Sequence, residues 1–148
     1  MDRPRAAAVL PDARHDDAGK LLLRVVLGVL IGLHGVAKLG KGVGGIEGML
    51  GQAGLPAVLA YGVYIGEVLA PLLLIVGAWT RLAAAVIVVN MLFAIGLAHL
   101  GELFTLGRTG GWALELQGMF LFAAVAVALL GAGRYSVDHA RLARRNAA

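Results

Sequence analysis

Four long apolar segments constrain what this chain can fold into more than any other feature of its sequence. They cover residues 21–39, 57–78, 82–100 and 112–131. Each is close to the length of about 20 residues that an α-helix needs to cross about 30 Å of hydrocarbon. Because 59% of the 148 residues are hydrophobic and only 15% are charged, too little polar surface remains to keep four such helices in water. The sequence predicts one domain, an all-α integral membrane four-helix bundle.

The distribution of Lys and Arg predicts how this bundle is oriented. Ten of the 13 basic residues lie before or early in the first segment, in the turn after the second, or in the C-terminal tail. Lys38, Lys41 and Arg108 lie on the opposite side. Since Lys and Arg are enriched on the cytoplasmic side, we expect a multi-pass protein of the plasma (inner) membrane with N and C termini both cytoplasmic. The net charge of +4 then reflects topology and attraction to membrane lipid, and we expect no nucleic acid partner.

The two ends of the chain differ in composition from the segments between them. Residues 1–19 mix both charge signs with Pro and Ala, which predicts a disordered cytoplasmic tail. Residues 20–138 are expected to form the four-transmembrane-helix domain, and residues 139–148 a basic cytoplasmic tail. We interpret the first apolar segment as a retained helix and not as a cleaved signal peptide. The absence of cysteine excludes thiolate chemistry and a Cys-ligated iron–sulfur cluster supplied by this chain.

Ionisable side chains inside the apolar segments are the first candidates for a functional site. Glu67 lies near the middle of the second segment, and Pro71, four residues later, deprives its carbonyl of a helical N–H donor. Tyr64 lies one turn away on the same side. An intramembrane carboxylate is a site hypothesis by default; the alternative is a proline kink with a protonated, hydrogen-bonded Glu67. His34 and Lys38 are four residues apart and share one face of the first helix.

The third and fourth segments add four polar candidates. Asn90 and His99 are nine residues apart, so they point to opposite faces of an ideal helix. Asn90 is expected to hydrogen-bond between helices, and His99 is either an interfacial residue or a member of the site. Trp112 and Glu115 lie near the outer boundary of the fourth segment, where Trp112 alone would be an ordinary interfacial anchor.

These side chains together predict an outward-facing polar pocket. An isolated charge would cost at least about 2.5 kcal/mol in the membrane, so we expect the polar residues to be one another's partners. The expected catalytic residues are Glu67 and His34. The expected cofactor-binding residues are Lys38, Tyr64, Asn90, His99, Trp112 and Glu115. We expect apolar walls from Tyr64, Met119, Phe122 and Trp112. We expect no metal site, and no haem, because His34 and His99 lie at different depths.

The segment GRYSVD, residues 133–138, follows the end of the fourth helix. Ser136 and Asp138 can hydrogen-bond nearby backbone groups, and Arg24, near the same end of the first helix, is a natural partner for Asp138. We interpret this segment as a latch that closes the cytoplasmic end of the bundle; a docking site for a partner is the alternative. In the turn before the third segment, Thr80 is expected to cap the helix.

The order of these motifs resembles the DoxX/DoxD-like membrane family over roughly residues 21–138. The matching stretches are LLRVVLGVLIGLHGVAKL, GEVLAPLLLIVGAWTRLAA, NMLFAIGLAHLG and GAGRYSVD. The polar residues matched by position are Arg24, His34, Lys38, Glu67, Asn90, His99, Arg134, Ser136 and Asp138. The resemblance implies a four-helix membrane protein. Some members are subunits of thiosulfate:quinone oxidoreductases, and others are linked to membrane complexes with sulfurtransferases and superoxide dismutase in oxidative-stress defence.

Three functions from different classes follow as hypotheses. The first, implied by the resemblance, is a membrane subunit of a quinone-interacting oxidoreductase, with quinone as the cofactor and a soluble redox protein as the partner. The second is a non-enzymatic membrane scaffold or assembly factor for soluble redox proteins. The third is a metal or haem protein that uses His34 and His99. Formation of an oligomer is compatible with each of them.

Overall fold

The computed structural model describes residues 13–147, which form helices and the loops between them. The helices in chain order are α1 (Ala13–Lys41), α2 (Gly44–Gln52), α3 (Ala57–Val76), α4 (Thr80–Ala98), α5 (Glu115–Leu130) and α6 (Val137–Asn146). Helix α3 begins as a 3-10 turn, Ala57–Tyr61, and contains a π-helical segment, Ile65–Leu69. A second 3-10 turn, Leu100–Glu102, follows α4. The expected all-α fold class is confirmed.

Three of the helices that the structure describes are long and apolar enough to cross a membrane, namely α1 over Arg14–Lys41, α3 and α4. Helix α5 is apolar but has 16 residues, about 24 Å at 1.5 Å per residue. It is shorter than the expected segment because Trp112 and Ala113 are held in the preceding loop. The indole N–H of Trp112 donates to the Leu103 carbonyl at 2.8 Å, and the Ala113 N–H donates to the Thr105 carbonyl at 3.0 Å.

Helices α1, α3, α4 and α5 pack around a common apolar core, in which the most deeply buried side chains include Ile31, Leu74, Ile87, Ala124 and Val127. Glycines on α1 bring its backbone against α3. A Cβ atom added at Gly28 would lie 2.9 Å from the Pro71 carbonyl oxygen, and one added at Gly35 would overlap the Glu67 carbonyl group. Small residues permit this close approach of two apolar helices, and it fixes the height of α1 relative to the middle of α3.

The N-terminal part of the structure differs from the expected disordered tail. Residues 13–19 form the first two turns of α1, whereas residues 1–12 lie outside the described residues. Asp17 is buried and accepts a hydrogen bond from the backbone N–H of Arg134 at 2.9 Å. Asp16 pairs with Lys20 one turn later, at 2.6 Å. One bond within the helix and one to a distant residue therefore stabilise a helix in this stretch of mixed charge.

The basic C-terminal tail continues as helix α6. The Ser136 hydroxyl accepts a hydrogen bond from the His139 N–H at 3.1 Å, the usual role of a serine that caps a helix N-terminus. The same hydroxyl donates to the Gly133 carbonyl at 2.6 Å, and Gly133 has a positive φ of 70°. The turn before α6 is therefore fixed by its own hydrogen bonds.

A latch does join the ends of the helices, but its hydrogen bonds differ from those expected. Arg24 is fully buried and donates to the carbonyl oxygens of Leu74, Ile75 and Tyr135 instead of forming an ion pair with Asp138. These carbonyls lie near the end of α3 and in the loop before α6. The last carbonyls of a helix lack the usual donor four residues later, and the Leu74 carbonyl also accepts the Gly77 N–H at 3.1 Å. The Arg24 guanidinium, with five N–H groups, supplies further donors to this end of the bundle.

The carboxylate of Asp138 occupies the N-terminus of α4. It accepts hydrogen bonds from the backbone N–H groups of Trp79 and Thr80, each at 2.8 Å. The cap of α4 is therefore Asp138 and not the expected Thr80, because a carboxylate can reach two unpaired N–H groups at once. Burial raises the pKa of Asp138, but the hydrogen bonds from Thr80 and Trp79 and the charge of Arg141 outweigh it, so the pKa lies below its usual range.

Candidate functional site

Glu67 lies in the π-helical segment near the middle of α3, and only 6% of the residue is exposed. Pro71 follows one turn later and has no N–H to donate to the Glu67 carbonyl. A π-helical turn widens the hydrogen-bonding pattern of a helix and is frequent at functional sites. The local sequence therefore places a carboxylate and an irregular backbone at the same depth of one helix.

The Glu67 carboxylate is held by side chains from two other helices. Its Oε2 atom forms an ion pair with the Nζ atom of Lys38 on α1. Its Oε1 atom accepts a hydrogen bond of 3.4 Å from Nδ2 of Asn90 on α4. The prediction that Asn90 hydrogen-bonds between helices agrees with this geometry. We call Lys38, Glu67 and Asn90 the polar trio.

Glycine and tyrosine residues position the polar trio. A Cβ atom added at Gly66 would lie 2.6 Å from Oδ1 of Asn90, so a glycine is needed for the Asn90 side chain to reach its place beside α3. The Tyr64 hydroxyl donates to the Lys38 carbonyl at 3.3 Å, near the end of α1. This bond ties the end of α1 to α3 one turn before Glu67.

A cavity of about 630 Å³ opens beside the polar trio, between α2, α3 and α4. The trio supplies its charged and amide side chains, and apolar residues and glycines form the rest of the wall. The wall includes Ile46, Met49, Leu59, Val63, Ile65, Leu82, Val86, Val89, Phe93 and Leu97. Several of these, such as Ile65 and Val89, are also exposed on the outer surface of the helices. The cavity therefore opens sideways, where a membrane-embedded protein meets lipid.

The structure does not place His34 in this cavity. Its ring lies edge-on to the ring of Phe120 on α5, with centroids 5.8 Å apart, and the residue is exposed. Lys38 turns toward α3 while His34, one turn earlier, turns toward α5. The two residues share one face of α1, as expected, but they contact different neighbouring helices.

His99 also lies outside the cavity wall, on the far side of α4 from Asn90, as its spacing predicts. Its Nδ1 atom is 2.9 Å from Oε2 of Glu102, and its Nε2 atom is 3.3 Å from Nε2 of Gln117 on α5. Sequence reasoning missed Gln117 because the opposite face of its helix carries Glu115. The cluster links the end of α4 to α5.

The fourth apolar segment contributes none of its expected residues to the cavity wall. Trp112 packs its ring over Gly118, and Glu115 is exposed. Met119 and Phe122 lie on the outer surface of α5. The expected wall residues of α5 do not line this cavity, because α5 turns Gly118, Phe120 and Ala124 toward the core. Helix α2 takes its place, with Ile46 and Met49 in the cavity wall.

No group of three His, Asp or Glu side chains that could hold a metal ion occurs between residues 13 and 147. The absence of haem stays a prediction. Protein purified from haem-replete cells is expected to lack a Soret band, and a Soret band that disappears in His34→Ala would contradict it.

Similarity to known proteins covers most of the chain. The family model described as DoxX matches residues 19–100. The chain is 28% identical over 122 residues to the "Putative oxidoreductase CatD" of Bacillus subtilis, covering 82% of this chain and 86% of that protein. It is 32% identical over 120 residues to an "Uncharacterized protein" of Haemophilus influenzae, covering 79% and 86%. No solved structure matches the chain.

Proposed function

We propose, from the premise that this chain belongs to the DoxX family, that it is the membrane subunit of a quinone-interacting oxidoreductase. Its family and its three long apolar helices indicate a membrane protein with an oxidoreductase-associated role. The similarity to a protein named as an oxidoreductase supports the reaction class. The observation that carries the proposal is the polar trio set into the wall of an apolar cavity that opens sideways.

The residues of the cavity fit a quinone. Its volume of about 630 Å³ lies in the range of about 300–1,000 Å³ that is usual for small-molecule sites. A quinone headgroup needs hydrogen-bond donors at its carbonyl oxygens. Lys38 has three N–H donors and Asn90 has two, so each keeps at least one beyond the bond to Glu67. The apolar wall suits the ring and an isoprenoid tail.

A bound quinone would supply the capacity to carry two electrons and two protons. The chain's own residues would orient the headgroup through Lys38 Nζ and Asn90 Nδ2, and the apolar wall would exclude water. Glu67 Oε2 and Lys38 Nζ already face each other, so either can hold a proton beside the headgroup. General acids must lie within hydrogen-bonding reach of the oxygen that they protonate, and both atoms border the cavity.

The proposal is tested by measuring quinone retained by protein purified in a mild detergent. Lys38→Gln with Glu67→Gln removes both charges together, and Asn90→Leu removes the amide donor. Both variants are expected to lose most of the quinone found with the wild type. His34→Gln and Glu115→Gln are matched controls outside the cavity and are expected to retain it. Wild-type quinone content in the double variant and in Asn90→Leu would overturn the proposal.

A second candidate function is a membrane scaffold for soluble redox proteins. It is favoured by the connection between α4 and α5, where Phe104 is 94% exposed and Leu100 and Leu106 are also exposed. Exposed apolar patches mark interaction surfaces or contact with lipid. Phe104→Ser with Leu106→Ser is expected to lose a stoichiometric partner under this function while quinone content is unchanged.

Plasma-membrane location and cytoplasmic termini are part of the same proposal. They are supported by the concentration of Lys and Arg near the N-terminal end of α1, in the turn before α4 and in α6. Under this orientation the polar trio and His99 lie toward the outer side of the membrane.

A further inference from the structure

A second cleft, of about 340 Å³, lies at the other end of the molecule from the polar trio. It is bordered by the beginning of α1 and by the turn and first residues of α6, and is lined by Arg14, Asp17, Arg134, Tyr135 and His139. Neither the proposed quinone site nor the latch uses the side chains of Arg134 and His139.

The acidic side chains near this cleft have hydrogen-bond partners, whereas two of its basic side chains have none among the described residues. Asp16 pairs with Lys20, and Asp17 accepts the Arg134 backbone N–H. Asp138 caps α4. Within residues 13–147, the side chains of Arg134 and His139 have no hydrogen-bond or ion-pair partner. The lining carries two arginines, Arg14 and Arg134, against one carboxylate, that of Asp17, so its net charge is positive and favours an anion in the cleft.

The cleft lies at the depth of lipid headgroups. Arg14 is seven residues before the apolar stretch of α1 begins at residue 21, about 10 Å along the helix. Arg134 is four residues beyond the end of α5. The headgroup layer is about 5–8 Å thick on each side of the hydrocarbon core, so Asp17, about 6 Å before residue 21, lies within it, and Arg14 lies just beyond its outer edge. The aromatic residues Trp79 and Tyr135 are exposed at the same end, as is typical of a membrane interface.

We propose that this cleft binds the phosphate headgroup of an anionic phospholipid. Arg134 and His139 would contact the phosphate, since arginine matches phosphate geometry with paired N–H donors. Basic pockets between membrane helices on the cytoplasmic side bind such headgroups. A phospholipid fits better than free phosphate because exposed Leu22, Leu129 and Leu130 flank the adjoining ends of α1 and α5, where acyl chains can lie. Arg144 and Arg145, in the last turn of α6, add to the positive potential.

The test uses the full-length protein in a neutral detergent and follows thermal unfolding during titration with lipid. Dioleoyl-phosphatidylglycerol is expected to raise the melting temperature in a saturable manner. Dioleoyl-phosphatidylcholine, with the same chains, and inorganic phosphate are expected to have little effect. Arg134→Gln with His139→Gln is expected to weaken the apparent affinity for phosphatidylglycerol by about tenfold or more. Both residues are exposed, so the variant is expected to fold.

Arg108→Gln is the matched control, because Arg108 is an exposed arginine in the loop between α4 and α5. It is expected to respond to phosphatidylglycerol as the wild type does, and native mass spectrometry is expected to show one tightly bound phosphatidylglycerol lost only in the double variant. Equal shifts with phosphatidylcholine would overturn the proposal, as would an unchanged response of the double variant. A shift of the same size with inorganic phosphate alone would also overturn it, since the site would then recognise a soluble anion.

Discussion

Separate removal of the two charges of the Lys38–Glu67 pair is expected to have unequal effects on stability. The Glu67 side chain is 7% exposed, whereas that of Lys38 is 29% exposed. In Lys38→Gln the more deeply buried charge loses its partner, a change that costs about 3–5 kcal/mol at buried sites. In Glu67→Gln the remaining ammonium is partly exposed and its long stem can carry it toward water, so we expect a loss of about 1–2 kcal/mol.

The assay is reversible unfolding in mixed micelles with increasing dodecyl sulfate, followed by far-ultraviolet circular dichroism at pH 7. Lys38→Gln with Glu67→Gln leaves two neutral amides and is expected to be more stable than Lys38→Gln alone. His34→Gln, outside the cavity, is expected to stay within about 0.5 kcal/mol of the wild type. Equal losses in the two single variants, or a double variant that shows the sum of both, would refute the reasoning.

Three further predictions concern the latch, the helix contact and the topology. The pKa of Asp138 is depressed in the folded protein. Asp138 therefore adds to the free energy of unfolding above its unfolded-state pKa of about 3.9, and this stabilisation is lost as the pH falls through its folded-state pKa. Asp138→Asn is expected to cost about 1–2 kcal/mol at pH 7, and the difference from wild type, measured by thermal unfolding, is expected to narrow below pH 4; a constant difference would contradict this. Gly35→Ala places a methyl group against a backbone carbonyl and is expected to lower stability by about 1–3 kcal/mol, whereas Gly40→Ala on the same helix meets open space and is expected not to. With no native cysteine, Glu47→Cys is expected to react with an impermeant thiol reagent from outside the cell and Ala140→Cys is not; the reverse pattern would invert the topology.

The helical elements could be predicted from the sequence because long apolar runs leave few alternatives. The limits of α5 could not, since they depend on the bond from Trp112 to a carbonyl nine residues earlier in the chain. The helical structure of residues 13–19 could not be predicted for a related reason. Their composition alone indicates disorder, and the bond from Arg134 to Asp17 joins residues that are 117 positions apart.

The polar residues of the candidate site could be predicted from the sequence, whereas most residues that line its cavity could not. An unpaired charged or amide side chain in an apolar helix costs free energy in the membrane. The pairing of Glu67, Lys38 and Asn90 could therefore be predicted from the sequence. The side to which each helix turns depends on its rotation about its own axis, which periodicity leaves open by several tens of degrees when most residues are apolar. Because of that ambiguity, the sequence predicts His34 and Phe122 in the pocket, whereas the structure places both outside the cavity wall. The burial of Leu50 in the short helix α2 could not be predicted, because glycines flank the few apolar residues of this helix.

The charge balance of the polar trio favours a particular class of ligand. One carboxylate and one ammonium border the same cavity together with a neutral amide, so their charges nearly cancel for a group placed beside them. An anionic headgroup, such as that of a fatty acid, would approach Lys38 only at the cost of repulsion from Glu67, and a cationic headgroup would meet the reverse. A neutral headgroup with carbonyl oxygens can accept hydrogen bonds from Lys38 and Asn90 without breaking the ion pair. The nearly cancelled charges therefore favour a neutral quinone over charged lipids, and competition between a short-chain quinone and a fatty acid of matched length for the cavity would distinguish them.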